Sequence, residues 1–216
     1  MKYKITKSDT AVKINAGWNK SCWRSIKPLE LKNFMGERPT HFPKVRAKLL
    51  YDEKNIYVIF RVEDNYVLAK RTKHNSFVSR DSCVEFFFSP GQDGYFNLEM
   101  NCSGVMLMHY QSDNGANRVN TTPDEGKLIL RKSTLSGLIY PEISTPTTWV
   151  VEYALPYMML EKYVPVVKPI KGVVWRANFY KCGDETSHRH WLTWNKVDLP
   201  KPDFHRPEFF GEVEFE

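Results

Sequence analysis

Hydrophobic and polar positions alternate with a period of two through much of this chain, in short runs broken by clusters of Pro, Gly, Asn and Asp. Such alternation places successive side chains on opposite faces of a strand, and the breakers are residues that favour turns. The clearest predicted strands are Lys44–Tyr51, Asn55–Glu63, Ser82–Ser89, Tyr95–Asn101, Gly104–Gln111, Thr148–Ala154, Val173–Tyr180 and Glu212–Phe215. Asp52-Glu53-Lys54-Asn55 reads as a tight hairpin between the first two, and Ser89–Gly94 joins the third to the fourth. Helix is scarce: Pro156–Tyr163 predicts one or two turns, opened by a proline. The stretch from Asn114 to Pro146 is rich in Gly, Thr, Ser and Pro and predicts strands separated by long loops. The pattern predicts an all-β fold with little helix, a sandwich of two antiparallel sheets formed by one domain over residues 1–216.

The polar positions of three strands carry an unusual set of groups. In Ser82–Ser89, Val84, Phe86 and Phe88 share one face, while Cys83, Glu85 and Phe87 share the other with the preceding Asp81. In the next strand Phe96, Leu98 and Met100 oppose Tyr95, Asn97, Glu99 and Asn101. If the hairpin keeps matching faces together, Glu85 lies beside Asn97, Glu99 or both. In Val173–Tyr180, Trp175, Ala177 and Phe179 oppose Arg176, Asn178 and Tyr180. Carboxylates, amides and guanidinium groups each offer two bonding atoms in one plane, which suits the paired hydroxyls of a sugar ring. A plain solvent-facing sheet surface is the alternative, but such a surface ordinarily carries more Lys, Thr and Ser.

Composition narrows the field further. With 216 residues the chain can bury a sizeable core unaided, and 14% of it is aromatic. The net charge is +6, but 31 basic and 25 acidic residues interleave throughout. No basic block or basic helix marks a nucleic-acid binder. No apolar run reaches the length of a membrane span. Met1–Ile5 lacks the apolar core and cleavage site of a signal peptide. Cys22, Cys83, Cys102 and Cys182 show no CxxC spacing, and Cys83 and Cys102 read as small buried hydrophobes.

Several segments, taken in order, resemble the family 9 carbohydrate-binding modules: Leu49–Asp52 with Ile56–Val58, Val62–Asp64, Asp81–Phe87, Tyr95–Asn101, the Trp149–Pro156 run with Glu152, Trp175–Tyr180, and His205–Gly211. They are spread from about Lys44 to Phe215. The resemblance implies a DOMON-like β-sandwich that recognises mono- or oligosaccharides, often chain ends, in a slot between two aromatic rings. It implies no required cofactor and admits a structural calcium. It also implies a place beside glycoside hydrolases acting on the same glycan, in the periplasm or outside the cell. Phe77 and Phe204 fall where the best-known members carry the slot tryptophans; phenylalanine keeps the apolar face with less area and no N–H. Glu85 matches the family's sugar-binding acid. Asn97, Arg176 and Asn178 fall at polar contact positions, with different residue types at Asn97 and Arg176. Glu99, His205 and Arg206 are expected to line or brace the pocket; the alternative for Arg206 is to anchor the C-terminal loop through a salt bridge to the core edge. Ile14–Trp18 lacks the acidic residues that the family often shows there, which counts against calcium in that region.

Three other chemistries compete. Glycoside hydrolysis needs two carboxylates flanking the scissile bond, a role open to Glu85 and Glu99. His188 and His190, with His205, are conceivable metal ligands. Related DOMON domains hold haem, for which Met100, Met106 or Met108 with His109 or His190 are the candidate axial ligands. Serine-hydrolase, P-loop and dinucleotide-binding motifs are absent from the sequence.

Overall fold

The computed structural model of the chain describes residues 1–112 and 117–216. Its strands are β1 (Lys2–Lys7), β2 (Leu29–Glu30), β3 (Asn33–Phe34), β4 (Lys44–Tyr51), β5 (Asn55–Asp64), β6 (Val67–Ala69), β7 (Cys83–Ser89) and β8 (Tyr95–Asn101). They continue with β9 (Met106–Ser112), β10 (Asn117–Asn120), β11 (Leu130–Ser133), β12 (Ile139–Ile143), β13 (Thr147–Pro156), β14 (Val174–Cys182), β15 (Trp191–Thr193) and β16 (Gly211–Phe215). Three short helices are α1 (Ser21–Arg24), α2 (Pro123–Leu128) and α3 (Tyr157–Leu160). All eight strands predicted from the pattern are present, with ends shifted by two residues at most. The predicted helix after Thr148–Ala154 is α3, with Pro156 as its N-cap. The stretch predicted to mix strands and loops holds β10, β11, β12 and the helix α2; its first residue, Asn114, lies outside the described residues.

One curled sheet runs in the order β10-β9-β8-β7-β14-β16-β1-β4-β5-β13-β11, and β6 pairs with β12 in a small ribbon. Strand β1 joins the two halves of the sandwich. Its Lys2–Ile5 segment pairs with β16 and its Thr6–Lys7 segment with β4, both in parallel. The other pairings are antiparallel, as expected.

Between the layers, Val84, Phe86, Phe88, Phe96, Leu98, Met100, Trp175 and Phe179 meet Val58, Phe60, Val62, Trp149, Val151 and Tyr153 in one continuous core. Phe86 stacks on Phe88 at 4.6 Å and on Phe179 at 4.8 Å between ring centroids. Each buried aromatic of this kind contributes about 2–3 kcal/mol through area alone, with about 1 kcal/mol more from ring geometry. The alternation read from the sequence thus puts the apolar face of β7, β8 and β14 into the core.

Their other face is not a solvent surface. Glu85, Asn97, Glu99, Asn101 and Asn178 are all buried. The chain between β14 and β16 folds back over most of them, bringing β15 and the 200–210 segment on top, while Asn101 is bonded to Arg71 and Asp81.

Candidate functional site

The hairpin register of β7 and β8 sets Glu85 directly opposite Glu99, and Phe87 opposite Asn97. On the other side of β7, Cys182 of β14 is opposite Cys83, and Tyr180 is opposite Glu85. Two carboxyl groups therefore sit side by side in the floor of a cleft of about 220 Å³. The Cys182 thiol donates to Glu85 Oε1 at 3.1 Å, and Asn97 Nδ2 donates to Glu99 Oε1 at 2.9 Å.

Burial, followed by the Cys182 thiol and the Glu99 carboxyl, pushes Glu85 well above the usual carboxylate range. Burial also pushes Glu99 up to about 7, against the Asn97 amide and the positive charge of Arg118. Neighbouring carboxyls in a dry site cannot both ionise cheaply, so near neutral pH the pair keeps a proton. It can then donate a hydrogen bond as well as accept several.

The walls are aromatic. The Phe204 ring stacks on Tyr180 at 4.1 Å and 11°, and the Tyr180 hydroxyl donates to the Phe204 carbonyl at 3.2 Å. Trp191, from β15, is a partly buried member of the lining whose indole N–H donates to Asp184 at 2.8 Å. His205 packs over Phe87 at 5.1 Å, with its Nδ1 3.0 Å from both the Tyr95 hydroxyl and Gln111 Nε2. Burial and Arg118 lower the His205 pKa to about 4, so the ring is neutral at physiological pH.

The predicted site residues divide into two groups. Glu85, Glu99, Phe204 and His205 line this cleft together. Asn97 lies beneath it, bonded to Glu99, Gln111 and His109. Asn178 is fully buried and clamps the Asn195 backbone, donating to its carbonyl at 3.0 Å and accepting its N–H at 2.9 Å. Arg176 donates to the carbonyls of Glu208 and Phe210 and lines a different, larger cleft of about 710 Å³ beside the β7–β8 turn. That second cleft lacks a carboxyl pair like the one over β7 and β8. Arg206 pairs with Asp203, three residues earlier in the same loop, at 2.8 Å, rather than with the core edge. Phe77 is 65% exposed and carries the Arg80 guanidinium 5.3 Å from its ring centre. It lies outside the lining, although Ser79, two residues on, belongs to it.

Sequence reasoning missed Trp191, Asp184, Cys182 and Arg118. The first three come from the β14–β15 connection and its ends, where sequence gives no clue to what the loop covers. Arg118 stands on exposed β10, paired with Gln111, close enough for its charge to act on Glu99 and His205.

The three histidines proposed as metal ligands are occupied separately. His190 Nε2 lies 2.6 Å from the buried Lys181 ammonium, His188 stacks on Tyr66 at 3.6 Å, and His205 meets Tyr95 and Gln111. An ammonium against the His190 nitrogen takes the place a cation would need. Met100, Met106 and Met108 fill the core between the sheets, whereas His109 faces the other way toward Asn97. These residues do not fit an axial haem pair. Near the N-terminus, Glu152 accepts the backbone N–H groups of Asn15 and Ala16, the Trp23 indole N–H and the Lys20 ammonium. Lys20 also donates to the Lys13 carbonyl. The donors around this carboxylate do not fit a calcium ion, because a lysine already supplies the positive charge.

A family model described as carbohydrate-binding family 9 matches residues 18–215. Among solved structures, a protein of Bacteroides uniformis ATCC 8492 with the provisional description of a carbohydrate-binding protein is 27% identical. The match covers 100% of this chain and 99% of that one, with a TM-score of 0.89. A family 9 carbohydrate-binding module from Caldicellulosiruptor kristjanssonii, in complex with cellotriose, is 14% identical with a TM-score of 0.64, covering 100% of this chain and 94% of that one. A family 9 module from the same organism in complex with glucose is 16% identical with a TM-score of 0.60, covering 99% and 95%. At these identities the last two comparisons speak for the fold alone. The comparison with curated proteins finds no match.

Proposed function

The chain belongs to carbohydrate-binding family 9, and from that premise we propose that the cleft over Glu85 and Glu99 is where it holds a sugar. The observation that carries this reading is the buried pair of carboxyl groups under aromatic walls. A volume of about 220 Å³ lies below the usual range for drug-sized ligands and suits one sugar ring. In this reading Glu85 and Glu99 grip adjacent hydroxyls, and the Phe204 and Trp191 rings meet the apolar C–H face of the ring. His205 uses Nδ1 to accept from Gln111, leaving an Nε2–H to donate to the ligand. Asn97, Asn178 and Arg206 act as braces, Arg118 sets a positive charge nearby, and Phe77 and Arg176 make no contact with a sugar in the cleft.

The function is binding. Glycoside cleavage requires an acid and a second carboxylate on either side of the bond, about 5–10 Å apart. Glu85 and Glu99 are neighbours on one sheet surface and approach a ligand from the same side. A role beside glycoside hydrolases acting on the same glycan accords with this chemistry.

Glucose and cellotriose, the ligands in the two Caldicellulosiruptor kristjanssonii complexes, are the first ligands to test. Isothermal titration calorimetry against these and a panel of other mono- and oligosaccharides is expected to give saturable binding with no product on long incubation. Glu85→Ala and Phe204→Ala should each weaken binding about 10- to 100-fold, the effect of losing the hydrogen bonds of one carboxyl group or the area of one stacked ring. Arg176→Ala should change the affinity for a monosaccharide less than about twofold. Full affinity in the first two variants, or loss confined to Arg176→Ala, would move the site to the larger cleft.

A further inference from the structure

We propose that Cys83, Glu85 and Cys182 form a binding site for a thiophilic divalent metal ion, with zinc(II) as its probe. The sulfur atoms of Cys83 and Cys182 and one carboxylate oxygen of Glu85 lie within 4.8 Å of one another. Their placement is fixed by strands: Cys83 and Cys182 are direct cross-strand partners, and Glu85 is two residues from Cys83 on the same face. A tetrahedral zinc with bonds of about 2.3 Å to sulfur and about 2.1 Å to oxygen needs ligand atoms roughly 3.5–3.8 Å apart. The triad already brackets that spacing, since Cys182 Sγ and Glu85 Oε1 are 3.1 Å apart. Small side-chain rotations on a rigid sheet would complete the geometry.

Ligand chemistry selects the metal. Two thiolates and one carboxylate favour zinc or another soft ion over calcium or magnesium, which take oxygen ligands. All three residues are almost fully buried, so the bound charge would be shielded from bulk water. Glu99, directly opposite Glu85 on the adjacent strand, sets a further carboxyl group next to the site. Glu85 and Cys182 line the cleft, which gives the ion a way in and leaves its fourth position facing the cleft for water or a hydroxyl. Three protein ligands with an open fourth position is the arrangement of a zinc site that can exchange a ligand. On binding, each thiol gives up its proton to solvent, and Glu85 gives up its own where it holds one. No electron is transferred. The site stands on its own ligands and does not depend on a sugar occupying the cleft.

The test is titration of the full chain with cobalt(II) under reducing conditions. A thiolate-to-cobalt charge-transfer absorption that saturates at one equivalent and is displaced by zinc is expected. Cys22→Ser and Cys102→Ser should retain it, while Cys83→Ser and Cys182→Ser should lower the affinity at least tenfold. X-ray absorption on the zinc-loaded wild-type chain needs no variant to fold, and should show two sulfur neighbours at about 2.3 Å. A shell of oxygen and nitrogen only, no charge-transfer absorption in the reduced wild type, or an unchanged absorption in Cys182→Ser would overturn the proposal. Sugar binding measured separately by calorimetry leaves these outcomes unaffected.

Discussion

Glu99 bears a cost that depends on pH. Its pKa rises from 4.5 in an ordinary setting to about 7 in the fold, chiefly through burial. Below about pH 4.5 the folded and unfolded chains both hold the proton and no penalty arises. From there to about pH 7 the unfolded chain releases it while the folded chain keeps it, so stability falls as pH rises. The full difference is on the order of 3 kcal/mol. Glu99→Gln is therefore expected to flatten the pH dependence of urea unfolding across that window and to stabilise the fold at pH 8 by about 1–3 kcal/mol. His205, lowered to about 4, contributes a slope of the opposite sign over part of the same range, so the comparison must be made between variant and wild type. An identical slope in Glu99→Gln would mean that the carboxyl is not held protonated. Both glutamates could be read from the two-residue period of their strands. Their depth could not, because period fixes the face of a sheet and says nothing about what covers it. Asn178 shows the same limit: it falls on the polar side of β14, but its partner is the Asn195 backbone, which arrives only when the chain folds back.

At the level of elements, that returning chain makes the cleft. Asn178 holds it with bonds to both backbone groups of Asn195, and its Oδ1 also accepts the Phe179 N–H. Asn178→Ala should cost about 2–3 kcal/mol in urea unfolding and expose the Trp194–Asn195 backbone to faster amide exchange. A loss below about 0.5 kcal/mol would show that the loop is held elsewhere. Two elements were missed although their signals were present. Helix α2 begins with Thr122-Pro123-Asp124-Glu125, and the Thr122 hydroxyl accepts the Glu125 N–H while the Glu125 carboxylate accepts the Thr122 N–H. This capping box is a strong start signal, but it stands inside a stretch whose Gly, Ser and Pro content reads as loop. Strand β1 alternates as well, with Tyr3 and Ile5 on one side. It spans only six residues, too short a run for alternation alone to mark a strand. Its parallel pairing with β16 and β4 joins residues about 40 to 210 positions apart, beyond the reach of local pattern.

For the whole molecule, β1 means that the halves of the sandwich are covalently and hydrogen-bond continuous along one side. Ile5, fully buried at the junction, should cost about 2–4 kcal/mol when replaced by Ala. Unfolding should remain a single calorimetric transition, as expected if residues 1–216 form one domain. Two resolved transitions would separate the halves. The Lys20–Glu152 pair leads to a second expectation at this scale: adding calcium to the metal-free, sugar-free chain should leave its melting temperature unchanged within about 1 °C, whereas a rise of several degrees would reveal a calcium site that this carboxylate does not explain.

The joining of the sheets at β1 also bears on how copies of the chain behave toward one another. With that side sealed, the long path of hydrogen-bonded strands ends at β10 and β11. These are the two ends of that path at which a foreign strand could add, and both are short. Arg118 projects from one and Lys132 from the other, both exposed, so two molecules approaching edge to edge would set like charges against each other. Short, positively charged edges are a known guard against strand-to-strand aggregation. Concentrated solutions should stay monodisperse at low salt, and self-association should begin, if anywhere, when salt screens those two edges.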